Sequence, residues 1–195
     1  MKLYFTVIGI AMAIISALNI VFDAASWYYI VIATVFCTAL QFAFDISIAG
    51  IIKAMPDKWF GIDNPHYLVS ERERRFYGKL KVRYWKDYVW ELGGIGGFSK
   101  KKLLKPNSPE YIEKFIIECN KGVLTHRLSY PVGFLAMLML PNICAFTIAL
   151  PVAVVNLFLN ILPTLALRYN TPMLKAVLTR MRKKEANQQS AVISE

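Results

Sequence analysis

The first candidate for chemistry is His126, one of two histidines in this 195-residue chain. It lies in the stretch GVLTHRLSYPVG (residues 122–133), just before forty residues without a charged side chain, residues 128–167. A neutral imidazole accepts a proton near neutral pH, so His126 could act as a general base. The alternative is a structural histidine bonded to a neighbouring carbonyl group, and the sequence leaves both open.

Four further polar side chains lie inside apolar stretches at helical spacing. Gln41 and Asp45 are one helical turn apart, as are Asn156 and Asn160. Unsatisfied polar groups are unfavourable in lipid, so we expect some of these side chains to face one another across helices. Asp45 could orient His126, whereas the two asparagines could simply hold helices together.

Three uncharged runs must position these groups: residues 3–22, 24–44 and 128–167. A helix of about 20 apolar residues crosses the hydrocarbon core, so the runs supply one, one and two spans. The predicted fold is therefore an all-α integral membrane protein, with residues 1–195 forming a single membrane domain. We expect the four transmembrane helices at about 3–22, 27–52, 124–140 and 143–167. A cleavable signal peptide is the alternative for the first run, although that run is longer than the usual apolar region of such a peptide.

The distribution of lysine and arginine predicts the orientation. Residues 53–127 contain 16 Lys/Arg and 9 Asp/Glu, residues 168–195 contain 6 and 2, and residues 1–52 contain 1 and 2. The positive-inside rule places both basic regions and the N-terminus in the cytoplasm. We expect a multi-pass protein of the cell membrane with both termini cytoplasmic, a cytoplasmic interfacial segment over residues 53–123, and a basic tail over residues 168–195.

Two cytoplasmic amphipathic helices are expected between the second and third spans. The first should begin at Asn64-Pro65 and end before Gly93. Its apolar and aromatic residues recur at every fourth position: Phe76, Leu80, Tyr84 and Tyr88. This pattern among arginines and lysines is typical of a helix in the headgroup plane that binds anionic phospholipid, although a basic surface helix of a soluble lobe would look the same.

The second amphipathic helix should run from Pro109 towards the membrane. Its apolar face is formed by Ile112, Phe115, Ile116, Cys119 and Val123. His126 falls on the same face, so we expect it to point into the helix bundle. The three cysteines have no metal-ligand spacing, and GGIGGF (residues 93–98) lacks the spacing of a phosphate loop. We expect no metal and no nucleic-acid partner, and the oligomeric state is left open.

Five segments resemble, in order and spacing, the glycosyl diaponeurosporenoate acyltransferase family, small membrane proteins of staphyloxanthin-type carotenoid biosynthesis. They are MPDKWF (55–60), ERERRFYGKLKVRYWKD (71–87), GGFSKKKL (96–103), EYIEKFIIECNKGVLTHRLSYPV (110–132) and RYNTPML (168–174). The likeness covers about residues 50–180. It implies a membrane acyltransferase of lipid metabolism that moves a fatty acyl group to a sugar hydroxyl of a membrane glycolipid, a carotenoid glycoside or similar. It further implies acyl-CoA or acyl carrier protein as co-substrate and no cofactor.

The resemblance also implies site residues, with His126 as the catalytic base. The implied substrate-binding residues are Glu71, Arg83, Trp85, Lys86, Arg168, Tyr169 and Asn170. The chain departs from the family pattern R-A-E-L-x-H-W, because Val123 replaces the glutamate and Arg127 the tryptophan. Since Val123 cannot orient an imidazole, either Asp45 or Glu118 takes that role, or this protein has diverged in substrate or lost catalysis.

The expected reaction is direct acyl transfer at the inner leaflet. His126 would take the proton of the sugar hydroxyl as it attacks the thioester. The cations Arg83, Lys86 and Arg168 would bind the donor phosphate or stabilise the oxyanion. Two other functions fit the same sequence: a non-catalytic membrane subunit that binds anionic lipid or a partner enzyme, and a lipid-transport component built on the polar strip.

Overall fold

The computed structural model describes residues 2–89 and 105–193, which form helices and connections without a strand, as the sequence predicts. The α-helices are α1 (Lys2–Val21), α2 (Trp27–Ala54), α3 (Glu71–Lys79), α4 (Val82–Trp85), α5 (Pro109–Val132), α6 (Asn142–Cys144) and α7 (Leu150–Ile193). Shorter 3-10 helices cover Asp57–Phe60, Pro65–Tyr67, Lys86–Tyr88 and Gly133–Met139, and a π-helical segment covers Ala145–Ala149.

The chain divides into two compact units. The first unit contains Met1–Ala54 and Leu124–Pro163, and the second contains Met55–Val123 and Thr164–Glu195. Each has its own buried apolar cluster, described below. The single membrane domain expected from the sequence stays a prediction.

Three helical stretches in the described part of the chain are long and apolar enough to cross a membrane: Tyr4–Val21, Trp27–Ala54 and Ala145–Ser190. They match the expected spans at 3–22 and 27–52 and contain all but the first two residues of the one expected at 143–167. The span expected at 124–140 is not among them, because α5 ends at Val132, just after Pro131, and the chain continues as a 3-10 helix. The count of four spans and the cytoplasmic termini therefore stay predictions.

The core of the first unit lies between α1, α2 and the segment from Gly133 to the start of α7. Its buried residues are Ile15, Ile30, Ala33, Cys37, Ala136, Cys144, Ile148, Ala149 and Val152. Asn19 ties α1 to the π-helical segment, since its Nδ2 donates to the carbonyls of Ile15 and Thr147, both at 2.8 Å. Large apolar side chains on the other faces of α1 and α2 are exposed, as in a helix that faces lipid.

The second unit is built on α5 and the later part of α7. All five residues of the apolar face predicted for α5 are buried, and they pack against Leu167, Leu174 and Leu178. Ser108 caps α5 by accepting from the N–H of Tyr111 at 3.2 Å. Asn120 donates to the carbonyl of Phe60 at 2.9 Å and so holds the connection after α2 against α5.

The first amphipathic helix is not the continuous helix predicted from Asn64 onward. Asn64 caps only the 3-10 helix Pro65–Tyr67, through its side chain and the N–H of His66. The α-helix begins after Ser70, whose hydroxyl accepts from the N–H of Glu73 at 3.2 Å. The sequence signal for this start is Ser-x-x-Glu, half of a capping box, which outweighs the Asn-Pro pair.

A second break separates α3 from α4. Lys81 adopts a left-handed conformation with φ 52°, which no helix interior accommodates, and the indole Nε1 of Trp85 donates to the carbonyl of Leu80 at 3.0 Å. The row Phe76, Leu80, Tyr84 and Tyr88 is nevertheless exposed, while Tyr77 and Val82 turn into the unit. The expected end near Gly93 lies outside the described residues.

Candidate functional site

The imidazole of His126 meets an asparagine of the first unit. Its Nδ1 lies 2.7 Å from Oδ1 of Asn160 on α7. The histidine is half-buried, and it points into the first unit as its position on the α5 face predicts. Sequence reasoning assigned Asn160 only to helix packing, so this direct partner of the histidine was missed.

Three acceptors fix the orientation of the Asn160 amide. Its Nδ2 lies 3.0 Å from the carbonyl oxygen of Asn156, 3.1 Å from Oδ1 of Asn156 and 3.5 Å from Oδ2 of Asp45. The NH₂ end must face these oxygens, so the amide oxygen faces His126. An amide oxygen only accepts, and the neutral ring therefore carries its hydrogen on Nδ1 and its lone pair on Nε2. This tautomer suits a general base that acts through Nε2.

Asp45, predicted to orient His126, reaches it only through Asn160, whose amide contacts both side chains. Glu118, the other predicted orienter, precedes His126 by eight residues in α5 and thus by about 12 Å along the helix axis, beyond a direct hydrogen bond. The carboxylate of Asp45 holds the amide, and the amide holds the ring. The catalytic roles of all three residues stay predictions.

Two buried polar atoms near this chain of contacts lack hydrogen-bond partners among the described residues. They are Oδ1 of Asp45 and Oγ of Ser129. Ser129 lies one turn after His126 on α5, on the same side of the helix. Buried unsatisfied atoms are rare in folded proteins, and the Ser129 hydroxyl lies close enough to the Asp45 carboxylate to interact with it, so this pair adds to the polar contacts around His126.

The polar strip continues one turn away. Gln41 donates through Nε2 to the carbonyl of Gly133 at 2.6 Å and accepts from Nδ2 of Asn156 at 3.0 Å. A Cβ atom on Gly133 would lie 2.8 Å from Oε1 of Gln41 and 3.3 Å from Nδ2 of Asn156, so a larger residue would displace these two side chains from their contacts. The prediction that the polar residues of the two apolar runs face one another is confirmed.

Arg168, predicted to bind substrate, is buried in the second unit. Its guanidinium donates to both carboxylate oxygens of Glu73 on α3 and, at 3.0 Å, to the carbonyl of Leu68. Tyr77 also donates to Glu73. Burial alone would raise the pKa of Glu73, but the hydrogen bonds from Arg168 and Tyr77 outweigh it and the pKa is lowered. Burial and the bond to Glu73 raise the pKa of Tyr77 to about 12. This guanidinium fixes α3 against α7.

The other predicted substrate-binding residues lie at the surface of the second unit or are half-buried there. Glu71 is exposed and pairs with Arg74, and Lys86 pairs with Asp87 at 3.0 Å. The remaining ones are Arg83, which is exposed, Trp85, which closes the break after α3, and the half-buried Tyr169 and Asn170. Their roles towards a substrate stay predictions.

Val123, which stands where the family pattern has glutamate, is a core residue. It is buried with Phe115, Cys119 and Leu167. Among residues 2–89 and 105–193, no group of three His, Cys, Asp or Glu side chains could hold a metal ion. The glycine-rich run at 93–98 lies outside the described residues.

Comparison with known proteins gives one family. Residues 56–180 match the family CrtO, glycosyl-4,4'-diaponeurosporenoate acyltransferase, over more than half of the chain. The matched region contains His126, Asn160, Glu73 and Arg168 and begins after α2, so Gln41 and Asp45 lie outside it. Neither the curated proteins nor the solved structures give a match.

Proposed function

This chain belongs to the glycosyl-4,4'-diaponeurosporenoate acyltransferase family and is a membrane-associated acyltransferase, and we propose that it acylates a sugar hydroxyl of a membrane glycolipid. The acceptor is a carotenoid glycoside or a similar lipid. The donor is an acyl thioester of coenzyme A or of acyl carrier protein, and the reaction takes place at the inner leaflet. The observation that carries the proposal is the Asn160 amide, which keeps Nε2 of His126 in its basic form.

The proposed reaction is a single acyl transfer. Nε2 of His126 accepts the proton of the sugar hydroxyl while the hydroxyl oxygen attacks the thioester carbonyl carbon. The new C–O bond forms, the C–S bond breaks, and the proton passes from the imidazolium to the departing thiolate. Asp45 and Asn160 favour the transient imidazolium, because a carboxylate and an amide oxygen both orient towards positive charge.

Cations and aromatic residues of the second unit supply the membrane and donor contacts in this proposal. Arg83 is exposed beside the row Phe76, Leu80, Tyr84 and Tyr88. Aromatic side chains next to arginine and lysine suit the boundary between headgroups and acyl chains. We assign this surface to anionic phospholipid, and Arg83 with Lys86 to the phosphate of the donor.

The test compares lipid extracts from cells that express the wild-type chain, His126→Gln, or no copy. Mass spectrometry of the wild-type extract should show one glycolipid class gaining one fatty acyl group, and this product should be absent from the other two extracts. Glutamine keeps a hydrogen bond but is not a base near neutral pH. Product formation by His126→Gln at the wild-type level would remove the histidine from the chemistry, and the absence of any acylated glycolipid would favour the non-catalytic subunit.

A further inference from the structure

An apolar groove runs along the first unit between α1, α2 and α7. It is a narrow groove that is open on one side. Tyr4, Phe42 and Leu159 line one end, Ala11 lines the middle, and Ile15 and Val152 line the other end. Concave apolar sites with a few polar groups at one end are typical of small-ligand binding.

One end of this groove reaches the contacts of His126. Its polar lining includes Asn156, which accepts from the Asn160 amide at 3.0 Å through its carbonyl and at 3.1 Å through its side chain. Tyr4 lies close enough to Asp45 for the two side chains to interact electrostatically. The polar end of the groove is therefore connected to His126 through Asn156 and Asn160, and the lining becomes apolar towards Ile15 and Val152.

We propose that this groove holds the fatty acyl chain of the donor, with the thioester at the Tyr4 end and the methyl end at Ile15. The assignment rests on the proposed function, which requires an acyl chain beside His126. From Tyr4 to Ile15 there are eleven residues, about 16 Å along α1. Bonds of about 1.5 Å at angles near 111° advance about 1.25 Å per carbon, so an extended chain of about 13 carbons would match this length.

The continuity with the His126 contacts favours an acyl donor over bulk membrane lipid. A bilayer phospholipid has two tails and presents its headgroup at the surface. This groove is single, and its polar end is formed by Gln41 and Asn156. A long glycosylated polyene would exceed its length. The length of the groove thus selects the length of the donor's acyl chain.

The first test is chain-length selectivity with Ala11→Phe. Ala11 is half-buried in the groove, while Ala13 on the same helix is exposed on another face, so Ala13→Phe is the matched control. Purified protein receives hexanoyl or tetradecanoyl thioesters of coenzyme A and of acyl carrier protein, with octyl glucoside as acceptor. Each methylene that the phenyl ring displaces costs about fourfold in binding, so the tetradecanoyl-to-hexanoyl ratio should fall about tenfold or more in Ala11→Phe alone. An unchanged ratio in both variants would overturn the assignment.

A second measurement tests whether the groove holds the acyl chain if Ala11→Phe fails to fold or if no transfer occurs. Wild-type protein in nanodiscs is photolysed with a tetradecanoyl-coenzyme A that carries a diazirine at its methyl end. Adducts on Ile15 or Val152 would support binding of the acyl chain in the groove if unlabelled tetradecanoyl-coenzyme A prevents their formation and excess phospholipid does not. Adducts confined to the exposed faces of α1, such as Ile14, would contradict it. Absence of transfer with specific groove adducts would count against the proposed function, while binding of an acyl chain in the groove would still hold.

Discussion

Replacing Asn160 tests the proposed orientation of the catalytic ring. Asn160→Leu keeps a similar size but removes the acceptor 2.7 Å from Nδ1 of His126. The ring then loses the contact that selects its tautomer and supports the imidazolium. We expect a lower kcat with little change in the KM for the acyl donor, because the bond orients the base rather than the donor.

The size of this effect follows from the kind of hydrogen bond that is lost. In the transition state the ring becomes positively charged, and a hydrogen bond to a charged group contributes about 1.5–3 kcal/mol. This corresponds to a decrease of about 10- to 150-fold in kcat. Asn160→Asp keeps an acceptor for Nδ1 but turns the donor that faces Asp45 and Asn156 into an oxygen, so its kcat should also fall. The acid limb of its pH–rate profile should move to higher pH, since a carboxylate stabilises the imidazolium and only the neutral ring is a base.

The assay is acyl transfer to octyl glucoside by purified protein, with the folded fraction measured by size-exclusion chromatography. Asn19→Leu is the matched control. Asn19 and Asn160 are equally buried, each with 5% of its surface exposed. The Asn19 side chain donates to the backbone carbonyls of Ile15 and Thr147 and does not contact His126. Activity of Asn160→Leu within twofold of wild type would refute the orientation argument. Equal losses of kcat in Asn160→Leu and Asn19→Leu would refute a specific role.

Three further predictions concern the Glu73 ion pair, the packing at Gly133 and the orientation in the membrane. The lowered pKa of Glu73 stabilises the fold above the unfolded value of about 4.5, and this contribution is lost as the pH falls through the native value. The melting temperature of the wild type should therefore fall below pH 4.5, while Glu73→Gln should melt about 5 °C lower at pH 7 and depend less on pH. Gly133→Ala should destabilise the protein by about 1–2 kcal/mol because its Cβ meets Gln41, whereas Gly50→Ala in α2, which meets nothing within 4 Å, should not; equal melting temperatures would contradict this. In whole cells, an impermeant thiol reagent should label Ser26→Cys and not Ser190→Cys, and the opposite pattern would reverse the orientation.

The sequence predicts well what depends on periodicity and poorly what depends on which side chains meet. The apolar face of α5 is predicted to the residue, because burial follows the helical repeat. The break at Lys81 is not predictable from its residue type, since lysine has no preference for a left-handed conformation. The pairing of Arg168 with Glu73 joins residues 95 positions apart, and no local pattern reports such a contact.

The missing glutamate at position 123 is best understood through Asn160. A carboxylate one turn before His126 would both orient the ring and stabilise its charge, and Val123 instead completes the apolar cluster with Phe115, Cys119 and Leu167. In this chain the two tasks are separated, since the Asn160 amide orients Nδ1 and Asp45 holds that amide through its Oδ2. An amide transmits the influence of the carboxylate without adding a second charge among apolar helices, where an unpaired charge is unfavourable. In the proposed mechanism the departure from the family pattern is therefore compatible with catalysis, because the contacts to His126 come from Asn160 of α7 and, behind it, Asp45 of α2.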